Sequence, residues 1–180
     1  MIHSRENCYS MNNEEKNTFV RIQITEALIT LLKEKNIAEI SISELTQKAQ
    51  VGRVSFYRNY DSKEDVLMQE SQRLLKGWGD LFSEKPSEEY NSFFLSLFDF
   101  FKEHEDFYIT LYHAGMSQII MNTIVATADI AKCNSNLEAY LKSFWAYGVY
   151  GWIAEWIKRG MIESGQELFE LFQKSNPANQ

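Results

Sequence analysis

Apolar residues recur with a 3.6-residue period along most of this chain, and that period predicts helices. Val20, Ile24, Ala27, Leu28, Leu31 and Leu32 trace one face of a first helix over residues 18–35. Lys33 and Lys35 suit the negative end of its dipole. Ile37, Ile40 and Ile42 follow and are expected to plug the small core of the next segment. Ser41 and Glu44 stand three apart, the spacing of a capping box in which hydroxyl and carboxylate each take an orphan amide. Leu45 and Ala49 then share a helical face. Gln50, Val51 and Gly52 make a short turn, with the glycine free to take unusual backbone angles. A second short helix over residues 53–60 turns Phe56 and Tyr60 inward.

The pattern continues in larger pieces. A fourth helix opens at Ser62, with Glu64 and Asp65 in its first turn and Leu67, Ser71, Leu74, Trp78 and Leu81 along one stripe. Lys85, Pro86 and Ser87 break the chain, and Glu88 and Glu89 favour a new helix start. Phe93, Phe94, Leu97, Phe98 and Phe101, with Leu95 and Phe100 behind them, make the fifth helix apolar on more than one face, as a buried central helix is. A sixth spans residues 105–113 and ends at Gly115, and Ile119, Ile120, Ile124, Ala128 and Ala131 predict a seventh. Asn134, Ser135 and Asn136 form a polar cap for an eighth helix reaching Arg159, with Leu137, Leu141, Phe144, Gly148, Gly151 and Glu155 on one side. Ser164 and Glu167 box the start of a ninth, which carries Leu168, Phe169, Leu171 and Phe172. The expected fold is all-α with about nine helices. Residues 1–17 would be a flexible arm, 18–70 a small three-helix domain and 71–180 a larger helical domain.

Residues 41–63 have the size and polarity of a helix-turn-helix, whose second helix enters the DNA major groove. That helix carries Arg53, Ser55, Tyr57, Arg58 and Asn59 and has no acid. The run over residues 49–67, AQVGRVSFYRNYDSKEDVL, resembles the TetR/AcrR family of bacterial transcriptional regulators. Ala49, Val51, Arg53, Ser55, Phe56, Tyr57, Tyr60, Ser62, Lys63, Glu64 and Leu67 match its pattern. Gln50 replaces the usual turn glycine, Gly52 the usual capping hydroxyl and Val54 a usual glycine, which bears on the cap and on part of the phosphate contact.

The resemblance implies base or phosphate contacts from Ser43, Arg53, Val54, Ser55, Tyr57, Arg58, Asn59 and Lys63. Arg53 is placed to present a fork to a guanine, and Val54 and Ser55 are short enough to meet a thymine methyl. Tyr57, Asn59 and Lys63 suit phosphates, which position rather than specify, and Arg58 suits either role.

Charge sharpens this picture. The net charge of −7 alone argues against nucleic acid. Residues 1–76, however, carry 11 basic and 11 acidic side chains, and residues 77–180 carry 7 and 14. The acidic half must stand away from phosphate, and the neutral half binds if its bases gather on one face. Two cysteines, Cys8 and Cys133, are too few for a disulfide framework and fit reduced thiols. No run approaches a membrane span and the first residues lack an apolar signal core, so a cytoplasmic protein without a membrane partner is expected.

Catalysis finds no support. His3, His104 and His113 lack metal-ligand spacing, and there is no phosphate loop, nucleophile elbow or cysteine cluster. Glu103, Glu105 and Asp106 read as a solvated helix junction. No enzyme, metal or cofactor is expected.

Two further sites follow from the family resemblance and from side-chain chemistry. Trp78, Phe94, Phe98, Tyr108, Tyr112, Met116, Trp145 and Trp152 are expected to wall a ligand pocket, although most buried aromatics are simply core. With no Lys or Arg among them, the expected effector is small and apolar or aromatic. Gly148, Gly151, Leu168, Phe169 and Phe172 are expected at a homodimer interface, unless these faces pack inside one subunit. The implied function is a homodimeric repressor on double-stranded DNA with a palindromic operator, released by a small molecule. The alternative keeps the DNA-binding part and gives the C-terminal domain a partner protein, as in a co-regulator or activator.

Overall fold

The computed structural model describes residues 12–83 and 90–175. The readings of the N-terminal arm up to residue 11, of the break at Lys85-Pro86-Ser87 and of the helix start at Glu88 and Glu89 lie outside the described residues. Within them the chain is all-α, with nine α-helices, two short 3-10 turns and no strand. Two compact units divide it, Met1–Leu67 and Met68–Gln180.

In the first unit, α1 spans Asn13–Leu32. It starts five residues before the position that apolar periodicity predicts. The cause is a polar signal: Glu15 N–H donates to Asn12 Oδ1 and Asn12 N–H donates to Glu15 Oε2, both at 2.8 Å. Residues 13–17 therefore belong to the helix and not to an arm. α1 stops at Leu32 rather than Lys35, and a 3-10 turn, Ile37–Glu39, leads into α2, Ile42–Lys48. α3 spans Arg53–Asn59. The three helices close on one another over Ile24, Leu28, Leu31, Ile40, Leu45 and Phe56, all buried. Ile37 is buried with them, as expected, and Ile42 is only half-buried.

α4, Lys63–Ser83, begins where Asp65 N–H donates to Ser62 Oγ at 3.0 Å. Its buried stripe runs through Leu67, Ser71 and Leu75, whereas Leu81, expected on that stripe, is 67% exposed.

In the second unit, α5, Tyr90–Glu103, buries Phe94, Leu97, Phe98, Phe100 and Phe101 and is central, as its many apolar faces predict. α6 is Glu105–His113, α7 Ser117–Thr127, α8 Asn136–Lys158 and α9 Gly165–Ser175. α9 packs along α5, and α6 and α7 pack on α8. α7 ends before Ala128 and Ala131, which fall in the connection leading to α8. Gly115 and Gly160 take φ of 74° and 83° just past α6 and α8 and close Schellman turns through Met116 N–H to Leu111 and Met161 N–H to Trp156. The Ser164–Glu167 box at the head of α9 is complete in both directions, at 2.8 and 3.2 Å.

Candidate nucleic-acid interface

The turn between α2 and α3 differs from expectation in one informative way. Gln50, not Gly52, takes the left-handed conformation, at φ 56°. Gln50 N–H donates to the Gln47 carbonyl and Val51 N–H to the Thr46 carbonyl, at 3.1 and 3.0 Å, a Schellman closure with glutamine where glycine is usual. Gly52 has an ordinary extended φ of −75° and stands at the N-cap of α3 with no side chain to cap it. At the head of α2 only half of the expected box forms. Glu44 N–H donates to Ser41 Oγ at 3.1 Å, but the Glu44 carboxylate turns to the Lys35 ammonium. An ammonium is a stronger partner than a backbone amide. That bond is also the main reason the Glu44 carboxyl is held below its ordinary range.

α3 divides cleanly. Phe56 and Tyr60 are buried at 0% and 3% exposure, while Arg53, Val54, Tyr57 and Arg58 stand exposed. Successive helical positions turn by about 100°, so these four share one half of the circumference. Ser43 is exposed on α2, and Ser55 and Asn59 are half-buried at the flank. Asn59 is partly engaged already, donating from Nδ2 to the Ser55 carbonyl at 2.8 Å.

Lys63, expected to bind phosphate, spends its ammonium largely inside the unit. It donates to the Ile37 carbonyl and, at 2.6 Å, to that of Ile40, tying the 3-10 turn to the start of α4. Lys48, in the last turn of α2, is a further exposed base outside the set that the family resemblance implies. Its position one helical turn from Glu44 and Leu45 was the available signal.

The residues expected to wall a ligand site separate into three places. Trp78, Phe94 and Trp145 do share a cavity of about 270 Å³, lined also by Leu75, Phe93, Leu97, Ile124, Val149 and Lys142. Phe98 and Tyr108 are instead fully buried core, at 0% and 1% exposure. Burial pushes the Tyr108 hydroxyl well above its ordinary value, and it lies near Ser71 without forming a hydrogen bond. Tyr112 and Met116 sit at the end of α6 and do not line the cavity, and Trp152 lies in a separate groove with Gly148, Gly151 and Leu171. The cavity wall thus includes a cation, Lys142, where only apolar and aromatic side chains were expected.

The dimer expectation needs a similar correction. Leu168 and Phe169 are buried within the unit at 5% and 7% exposure. Phe172 packs tilted on Phe94 at 4.7 Å between ring centroids and meets Trp152 at 5.3 Å and Phe98 at 5.9 Å. These side chains of α9 close the subunit's own core against α5 and α8. Gly148 and Gly151 remain exposed on α8, beside Leu137, Tyr140, Leu141, Phe144 and Tyr147, each at least 50% exposed.

The comparisons with known proteins agree with this helix-turn-helix geometry. Residues 24–69 match the bacterial regulatory proteins of the tetR family, and residues 88–176 match a transcriptional regulator C-terminal region. The chain belongs to the tetR family of transcription regulators, a class of regulators and not of enzymes. It is 32% identical over 100 residues to YxbF, an HTH-type transcriptional regulator of Bacillus subtilis (strain 168), a match spanning 52% of this chain and 26% of that protein. The match thus reaches about a quarter of that relative's length.

Among solved structures, Lin0861 from Listeria innocua superposes with a TM-score of 0.77 at 14% identity, covering 94% of this chain and 96% of that one. The fatty acid degradation regulator FadR from Bacillus halodurans gives 0.54 at 14% identity, over 83% and 90% of the two chains. A tetR-family transcriptional regulator from Streptomyces coelicolor gives 0.51 at 20% identity, over 91% and 80%. At these identities the likeness is one of fold. Among the described residues no helix is long and apolar enough to cross a membrane, and no group of His, Cys, Asp and Glu is arranged to hold a metal.

Proposed function

We propose that the protein is a homodimeric, cytoplasmic repressor that binds a palindromic DNA operator and is released from it by a small ligand. The observation that carries this reading is the division of α3. Its apolar side anchors it through Phe56 and Tyr60, and its acid-free exposed side offers Arg53, Val54, Tyr57 and Arg58. That is the surface a recognition helix presents to base edges. Ser43 and Lys48 from α2, with Ser55, Asn59 and the remaining N–H of Lys63, supply phosphate contacts around it.

A single short recognition helix reads too few bases for useful affinity, so two copies act together. The exposed apolar face of α8 supports that pairing. Leu137, Tyr140, Leu141 and Phe144 recur at three- and four-residue steps, and Gly148 and Gly151 continue the face where backbones can approach. The cavity lined by Trp78, Phe94 and Trp145 is the effector site of this reading. α4 supplies Leu75 and Trp78 to its wall, and the same helix begins at Lys63 in the first unit. A ligand that binds better to the geometry unable to span two half-sites shifts the population away from DNA.

The test is selection of duplexes from a random library at low salt, followed by affinity measured against salt concentration. An enriched palindrome with steep salt dependence supports the reading. Enrichment of no sequence, with binding equal on all duplexes, overturns it.

A further inference from the structure

Among the described residues, the side chains of the cavity wall in the second unit are aliphatic or aromatic apart from Thr127 and Lys142. Thr127 spends its hydroxyl hydrogen on the Ile124 carbonyl at 2.6 Å. Among the described residues no carboxylate lines the cavity, and Lys142 is the one charged side chain of its wall. The lysine side chain is 40% exposed, which puts it where the cavity meets solvent. Its ammonium pairs with Glu138 one turn earlier on α8, at 3.1 Å.

That pair is weakly held, because both partners are substantially exposed and the geometry is that of an ordinary helical surface pair. Glu138 has a second anchor in Asn134 N–H, at 3.0 Å, and keeps it when Lys142 turns elsewhere. The Cys133 thiol is close enough to interact with both side chains. An anion arriving with an apolar body would find its tail desolvated among Leu75, Leu97 and Val149 and a cation at the rim. A neutral compound of equal size would gain only the burial, and a cation would meet the ammonium.

We infer that the ligand of this cavity is a compact amphipathic monoanion, an aliphatic or aryl-aliphatic carboxylate whose head displaces Glu138 from Lys142. The inference rests on the reading of the cavity as an effector site and names its ligand class. One cation matches one negative charge and does not suit a diphosphate. A volume of about 270 Å³ suits a medium-length chain; it falls just under the range of ~300–1,000 Å³ typical of ligand sites.

The experiment uses three probes of one chain length, octanoate, octanol and octylamine, titrated against the full chain by tryptophan fluorescence, since Trp78 and Trp145 stand in the wall. Octanoate is expected to bind about tenfold or more tighter than octanol, with octylamine weakest, as a charge-assisted hydrogen bond requires. Lys142→Met should bring octanoate down to the affinity of octanol and leave octanol unchanged. Lys142→Arg should keep the preference, and Glu138→Gln should tighten octanoate by freeing the ammonium. Equal binding of octanoate and octanol by the unmodified protein overturns the inference and leaves the cavity standing. Persistence of the octanoate preference in a folded Lys142→Met protein overturns it as well. Binding of none of the three probes removes the effector site itself, and the inference with it.

Discussion

Gly165 lies directly against Asp99: a β-carbon on Gly165 would stand 2.1 Å from Asp99 Oδ1 and 2.8 Å from its backbone nitrogen. The first clash can be relieved by moving a side chain, but the second cannot. Gly165 opens α9 where that helix is laid along α5, so this close approach sets how deeply Leu168, Phe169 and Phe172 reach the core. Gly165→Ala should therefore cost about 1–3 kcal/mol, the usual range for overpacking. Thermal unfolding of the variant measures it, and an unchanged midpoint would mean that α9 can lift off α5 without loss.

The left-handed Gln50 predicts the opposite sign. A side chain at φ 56° is disfavoured by the contact of Cβ with the following carbonyl, and glycine is free of it. Gln50→Gly should stabilise the first unit by up to about 1 kcal/mol, since the lost strain exceeds glycine's extra chain entropy. Denaturant midpoints decide the matter. A destabilised variant would show that the Gln50 side chain makes a compensating contact.

Arg53 and Lys63 should fail differently. Arg53→Ala should cost about 1–3 kcal/mol in operator binding and relax preference at one base position per half-site, with no effect on unfolding. Lys63→Met removes the donor to the Ile37 and Ile40 carbonyls, so it should lower the thermal midpoint without DNA present and weaken all duplexes together. Binding to a panel of single-base variants, alongside thermal melts, separates a base reader from a brace.

Phe144 and Phe172 test which aromatic face is external. Phe144 is 71% exposed on α8, so Phe144→Glu should keep the fold and yield a monomer, because an unpaired charge in an apolar interface is costly. Phe172 packs on Phe94 and Trp152, so Phe172→Ala should lower stability by about 1–3 kcal/mol and leave the assembly state alone. Sedimentation paired with circular dichroism reads both. A Phe144→Glu protein that still sediments as a dimer would move the interface off α8.

The sequence by itself determined the nine helices of the described residues, the helix-turn-helix and the inward face of α3, because each of these rests on local spacing. Phe56 on α3 and Tyr60 at its C-cap are one turn apart and turn inward together, and Ser164 with Glu167 starts a helix wherever it lies. The start of α1 at Asn13 was legible too, in the Asn12–Glu15 pair, but apolar periodicity alone passes over a polar cap.

What only the tertiary structure decided is which apolar face meets which partner. α8 is apolar around much of its circumference, with Ala146, Val149 and Ile153 buried and Leu141, Phe144 and Tyr147 exposed. Periodicity identifies such faces but not the one a neighbouring helix will cover. That depended on α6 and α7 packing against α8, and on α9 lying along α5 through the Gly165–Asp99 approach. The same packing sent Phe172 inward, left Phe144 outside and put Lys142 at the rim of an apolar cavity.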